Sequence, residues 1–273
     1  MIREFKTYLT SIRGYSENTA VAYTKDLKQF VEFLSRNDAQ KRWSTVTRED
    51  VDKYIIALSQ SGHKPATLCR HISSISALYR YMQRQGLEVD NPARYESRPK
   101  VGKHLVNTIP VDELHIAMMK AKGMVKMMLQ IIAETGIRVQ ELLDIKPEDI
   151  DLMNGTIKIN GKGNKERLVY VSQDTLKWLR EQNRQHGTTV FGNISQREVR
   201  TEIWLALKDY CNAPQLSPHA IRHTYATVMA QKGMTATTLQ KVLGHEHLET
   251  TQRYIDYGQV QHERECRQLS IFN

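Results

Sequence analysis

The stretch LGHEHLETTQRYIDYG, residues 243–258, brings two histidines and two tyrosines close together. Imidazoles at that density point to a metal site or to proton transfer, because histidine titrates near neutral pH. Tyr254 and Tyr257 lie three apart and share one face of a helix, so both can be packing residues or one can be a nucleophile. A phenol has an ordinary pKa of about 10, so a nucleophilic tyrosine needs help from its surroundings.

Three earlier segments are polar where a plain helical domain would not need it: ETGIRVQEL (134–142), INGKGNKERLVYV (159–171) and LSPHAIRHTYAT (216–227). In the last, His219 and His223 stand at i and i+4, the spacing of a helical metal pair. The metalloprotease pattern wants a glutamate after the first histidine, and Ala220 stands there; no cysteine pair lies nearby. The expectation is therefore no metal and no cofactor, with His247 on the surface and His223 packing or supporting the site. Taken together, the segments fit phosphodiester transfer. That reaction needs a nucleophile, cationic donors around the non-bridging oxygens and an acid for the departing hydroxyl. Arg138 and Arg222 can fork onto phosphate oxygens in a planar way that lysine cannot match. Lys162, on a turn, can reach a leaving 5′ oxygen. His219 and His245 can move protons and touch phosphate oxygens.

The elements that must carry these groups read as mainly α. Ser16 and Thr47 are N-caps, Pro65 opens a third helix and Gly86 stops it, with apolar stripes at helical spacing between them. Lys64, Arg70, Arg80 and Arg84 on this unit, with few acids near the third helix, suggest a phosphate-facing surface. The stretch DNPARYESRPKVGKHL (90–105), which includes Lys100 and Lys103, has the prolines and charge of an extended linker that can follow a phosphate backbone. The expected division is a helical domain over 1–92, a linker over 93–106 and a second domain over 107–273. In the second domain, helices are expected over 111–121 and 123–134, with Met124, Met127 and Met128 filling core, and Lys146-Pro147 as a break. Asn154-Gly155, the alternating Ile157 and Ile159, and a returning strand from Arg167 to Val171 then give one small antiparallel sheet among helices.

Composition sets outer limits. The chain of 273 residues has a net charge of +9, and a basic excess of that size favours polyanionic partners. No run approaches the roughly 18 apolar residues of a membrane span. The N-terminus is charged throughout, so no secretory signal is expected. Cys69, Cys211 and Cys266 are odd in number and far apart, which fits reduced thiols and a cytoplasmic protein.

These motifs resemble, in order and spacing, those of the tyrosine recombinase (phage integrase) family, and the short Xer-type bacterial members in particular. The likeness runs along almost the whole chain. YSENTAVAYTKDLKQFVEFL is similar to the start of the family's SAM-like core-binding helical bundle, and DNPA to its exit. TGIRVQEL, NGKGNKERLVYV, LSPHAIRHTYAT and LGHEHLETTQRYI are similar to the catalytic motifs, with a tyrosine nine residues past the last histidine. The resemblance carries the family's catalytic positions onto Arg138, Lys162, His219, Arg222, His245 and Tyr254, with Glu141 as the acidic support. Two departures stand out. Nothing in the chain corresponds to the arm-binding domain of larger integrases, and Tyr225 stands where phenylalanine is usual.

The family implies attack by Tyr254 on a DNA phosphate, a 3′-phosphotyrosine, and strand exchange through a four-way junction, without ATP or metal. It implies double-stranded DNA with inverted core half-sites as partner, and four protomers in the synapse, alike or from two related recombinases. A nucleoid-associated bacterial protein is expected, with the tail from Gln259 docked on a neighbouring protomer. An inactive DNA-binding relative and a type IB topoisomerase-like relaxing enzyme are the rival readings. Between the tyrosines, the motif register selects Tyr254 and leaves Tyr257 to packing or surface. Arg138, Arg222 and Lys162 are expected to ease ionisation of its phenol.

If Lys162 is the acid for the leaving oxygen, Lys162→Ala slows cleavage about 10²-fold or more. A substrate with a 5′-thiol leaving group, which needs no acid, recovers much of that loss. Equal slowing on both substrates leaves only charge stabilisation.

Overall fold

Side-chain caps start the N-terminal helices. Ser16 accepts a hydrogen bond from the Thr19 amide at 3.3 Å to open α2 (Glu17–Asn37), after a short α1 (Ile2–Ser11). Thr47 and Asp50 form a reciprocal pair, Thr47 N–H to Asp50 at 2.8 Å and Asp50 N–H to Thr47 at 3.3 Å, that opens α3 (Arg48–Gln60). Pro65 takes the first position of α4 (Pro65–Arg84). The computed structural model describes residues 1–38, 40–94, 98–99, 106–161, 166–182, 189–246 and 248–256. Lys100, Lys103, Lys162, His247, Tyr257 and the tail beyond it lie outside the described residues, and with them the expectations placed there.

The chain divides into two units, Met1–Lys103 and His104–Asn273. In the first, Phe5, Leu27, Phe30, Val51, Ile72, Ile75, Leu78 and Tyr79 fill one core between the four helices. Each such side chain removed from water contributes roughly 1.5–3 kcal/mol. Among the described residues, one acid penetrates this core. Asp26 on α2 is buried and accepts from Arg70 Nη1 at 2.6 Å, with His71 Nε2 at 3.4 Å. Burial pushes its carboxyl up to about 6 against the pull of Arg70. Arg70 of α4, expected to face phosphate, is thus bound to a buried acid of α2. Lys64, Arg80 and Arg84 are exposed; Arg84 lies over the Tyr8 ring.

In the second unit, α5 (Val111–Lys120) and α6 (Gly123–Thr135) precede a short α7 (Val139–Leu143) and a 3-10 turn at Pro147–Asp149. Three strands follow, β1 (Ile150–Asp151), β2 (Thr156–Asn160) and β3 (Glu166–Tyr170), antiparallel in the order β1-β2-β3. Asn154-Gly155 turns β1 into β2, with Gly155 at φ 67°. Then come α8 (Gln173–Gln182), α9 (Gln196–Leu207), α10 (Pro218–Gln231) and α11 (Ala236–Leu243), and a helical segment over 248–256. Met128, Leu129, Ile131, Ile132, Leu142, Ile157, Ile203 and Ile221 lie in one core where α6, α7, β2, α9 and α10 meet. Met127 and Met128 are buried and Met124 half-buried, as core filling requires. Among the described residues no helix is long and apolar enough to cross a membrane.

Candidate active site

Four chain segments of the second unit converge on the C-terminus of α11. Gly136 ends α6 at φ 64°, in the left-handed region, and a Cβ there would meet the Tyr225 ring at 2.4 Å. Only glycine fits both demands. That turn delivers Arg138 to the start of α7, where Glu141 accepts from the Arg138 amide at 2.8 Å.

Glu141 is buried and accepts from arginines on two sides. Arg138 Nη1 donates to it at 2.8 Å; Arg167 Nη1 and Nη2 donate at 3.1 Å and 2.7 Å. Arg222 Nη1 lies 3.9 Å away. Burial alone would raise this carboxyl, but the Arg167 hydrogen bonds, the Arg138 amide and the two positive charges outweigh it and hold it below the ordinary value.

The same arginines cap α11. Its last carbonyls have no partner within the helix and carry the negative end of its dipole. Arg167 Nε donates to Val242 O at 2.7 Å, Arg222 Nη2 to Leu243 O at 2.7 Å, and Arg138 Nη2 to Gly244 O at 3.1 Å. Gly244 closes the helix at φ 63°, and a Cβ on it would press on Arg167 Nη1 at 2.9 Å. His245 follows at once. Its Nδ1 lies 2.9 Å from the hydroxyl of buried Thr251, which fixes the ring against the helical segment carrying Tyr254.

Ser217 caps α10, with the Ala220 amide donating to it at 3.2 Å. His219, Arg222 and His223 then fall on one face of that helix. Arg222 is 1% exposed and donates to Gly136 O at 2.6 Å as well as to Leu243 O. The Arg138 side chain is 42% exposed. The two arginines expected to act alike are thus unequal: one lies under the site and the other faces out of it. The His219 and His223 rings stand 4.1 Å apart, edge to face. Tyr254 is 3% exposed, its hydroxyl 2.7 Å from His223 Nδ1 and its ring 6.1 Å from that of His245.

Electrostatics separates these groups. Burial, reinforced by nearby positive charge, lowers all three histidines, His223 and His245 to about 4, so both are neutral at physiological pH. Burial raises the Tyr254 phenol despite the opposing charges of Arg222, Arg253 and Arg138. This corrects the expectation of an eased ionisation: desolvation of the ring outweighs the cations. Tyr225, the residue that replaces phenylalanine, is buried beside Leu243 and Tyr254 in the same apolar cluster.

Of the residues read from sequence, Arg138, Glu141, His219, Arg222, His223, His245 and Tyr254 meet in one place. Lys64, Arg70, Arg80 and Arg84 belong to the other unit. Sequence reading missed Arg167 and the role of Thr251. A signal for Arg167 existed: it shares the inward face of β3 with Val169, where an arginine must find a buried partner.

The chain matches two family models, "Phage integrase family" over residues 107–259 and "Phage integrase, N-terminal SAM-like domain" over residues 2–86. It is 32% identical to tyrosine recombinase XerC of Herpetosiphon aurantiacus, covering 93% of this chain and 89% of that one. With tyrosine recombinase XerD of Oceanobacillus iheyensis it shares 30% identity, over 93% of this chain and 92% of the other. The chain belongs to the phage integrase family of tyrosine recombinases. Its fold is also that of XerH bound to a palindromic difH substrate, at a TM-score of 0.75 and 19% identity over 100% of this chain and 85% of that one. A lambda integrase dimer bound to a core site has the same fold, at a TM-score of 0.73 and 18% identity over 94% of this chain and 76% of that one.

The inequality of the arginines is measurable. Arg222→Lys loses at least one of two buried charged hydrogen bonds, a cost of about 1.5–3 kcal/mol, and lowers the unfolding midpoint of the catalytic unit. Arg138→Lys, at a half-exposed side chain, lowers that midpoint less and slows DNA cleavage about 10²-fold. The opposite pattern in denaturation and single-turnover assays contradicts the assignment.

Proposed function

We propose that this protein is a site-specific DNA recombinase that cuts and rejoins DNA through Tyr254. The observation that carries the reading is the convergence of Arg138, Arg222, His219, His245 and Tyr254 at the C-terminus of α11, around one buried carboxylate. In this reading the Tyr254 oxygen attacks a phosphate, the bond to the 5′ oxygen breaks, and a 3′-phosphotyrosine remains. The exposed guanidinium of Arg138 binds non-bridging oxygens, with Arg222 supporting the charge from below. His219 and His245 touch the remaining phosphate oxygens, and Lys162 protonates the departing 5′ oxygen. A 5′ hydroxyl from the partner duplex then attacks the phosphotyrosine, and strands exchange through a Holliday junction. Because the phosphotyrosine keeps the bond energy, no ATP is consumed, and in this reading the arginines and Lys162 supply the positive charge that a metal would otherwise bring.

The substrate in this reading is double-stranded DNA with inverted core half-sites, bound by the helical unit over 1–92 and the catalytic unit over 107–273, joined by the linker over 93–106. Lys64, Arg80, Arg84, Lys100 and Lys103 contact the backbone, and Arg70 contributes as far as Asp26 leaves it donors. The site basicity and the net charge of +9 support a phosphate-rich partner. Four protomers, alike or shared with a related recombinase, complete the synapse. That XerH and lambda integrase are described on DNA sites supports the same partner class.

A DNA site nicked near the cleavage point traps the covalent step, because the released fragment diffuses away. The wild-type protein accumulates a covalent complex on it in EDTA and without ATP, at the rate seen with magnesium present. Tyr254→Phe binds the same DNA and accumulates none. Loss of the wild-type complex in EDTA, or its survival in Tyr254→Phe, overturns the mechanism.

A further inference from the structure

A buried phenol whose pKa is raised must give up its proton as it attacks, and the proton needs an acceptor within reach. His219 and His245 were the expected proton carriers. Neither is the group in contact with the hydroxyl. His245 directs its Nδ1 to Thr251 at 2.9 Å, while the Tyr254 oxygen lies 2.7 Å from Nδ1 of His223. Resting on the phosphotyrosine reading above, we infer that His223 is the proton acceptor for the Tyr254 nucleophile, a catalytic role rather than a supporting one.

The chemistry balances. With its ring proton on Nε2, His223 accepts the Tyr254 hydroxyl hydrogen bond through Nδ1. As the phenolic oxygen forms its bond to phosphorus, the O–H proton passes to Nδ1 and the P–O5′ bond breaks. The leaving oxygen takes its proton from a different group. When the incoming 5′ hydroxyl displaces the tyrosine, the His223 imidazolium returns its proton to the phenolate oxygen, and the site is reset.

The surroundings favour a neutral acceptor. Among the described residues, four groups besides Tyr254 face His223: His219 and Arg222 on α10, Arg253 on the helical segment over 248–256, and His245 after α11. Burial and the positive charge among them keep its pKa near 4, so its lone pair is free across the neutral range. The same cations stabilise the phenolate as it forms, but they would repel an imidazolium that outlived the step. His223 therefore holds the proton briefly and gives it back. Its position one helical turn from His219, with the rings 4.1 Å apart, leaves His219 free to touch phosphate.

The test is the single-turnover rate of covalent complex formation on the nicked DNA, measured against pH for wild type, His223→Gln and His223→Ala. Gln keeps a polar side chain in the packing but accepts no proton. The inference predicts unchanged DNA binding and a loss of about 10²-fold near pH 7. That loss shrinks steadily as pH rises, because hydroxide ionises a growing share of the phenol even though burial holds its pKa above the ordinary value of about 10. Added imidazole restores part of the His223→Ala rate, and a 5′-thiol leaving group does not, because the defect is at the nucleophile. A deficit equal at every pH with no imidazole rescue, or a His223→Gln as fast as wild type, overturns the inference. Both outcomes are separate from failure of the underlying reading, which shows as covalent complex formed by Tyr254→Phe.

Discussion

The catalytic unit is organised by one buried carboxylate. Glu141 is the shared counter-charge that lets Arg138, Arg167 and Arg222 occupy the same small volume, and each of those arginines also holds a carbonyl at the end of α11. Three guanidinium groups this close would repel one another strongly at low dielectric. The carboxylate and the helix dipole supply the compensating negative charge. Without Glu141 the arginines would have to move apart, and the turn carrying His245 would lose its anchors. Removing one partner of such a buried network typically costs several kcal/mol, because the others are left charged and unpaired.

This arrangement explains how a basic site is kept ready for a phosphate without collapsing. Arg222 and Arg167 hold carbonyls that join α6, β3 and α11 into one piece. Arg138 is tied at one side and exposed at the other. Tyr254 is held differently, by apolar burial beside Tyr225, Leu239 and Leu243 and by a polar contact to His223. Burial fixes the direction of the phenol and also raises its pKa, so rigidity and reactivity pull against each other. The neutral imidazole beside the hydroxyl offsets that cost, and the surrounding cations stabilise the charge once it forms.

Much of this was legible because local chemistry set it. The caps at Ser16 and Thr47, proline at the start of α4 and Gly86 after its end each mark an element end through a backbone requirement that a single residue meets. The polar site residues stood out because nothing in a helical core needs them. What the sequence did not show were quantities of burial. Arg138 and Arg222 read as equals, yet one is open and the other enclosed, since exposure depends on α6, α10 and α11 packing together. Nothing in the sequence set Asp26 apart, yet it is the buried partner of Arg70. The raised pKa of Tyr254 also depends on that packing, because cations visible in the sequence said nothing of how much water the ring would lose.

The central claim is that the oxygen of Tyr254 becomes joined to DNA, and direct mapping of the covalent peptide tests it most plainly. Trypsin cuts after Arg253 and Arg264, so Tyr254 and Tyr257 fall in one peptide over 254–264. Fragmentation by mass spectrometry, after nuclease trimming of the attached DNA, separates the two positions. The account predicts the residual nucleotide mass on Tyr254 and none on Tyr257. The mass on Tyr257, or on any residue outside this peptide, contradicts it.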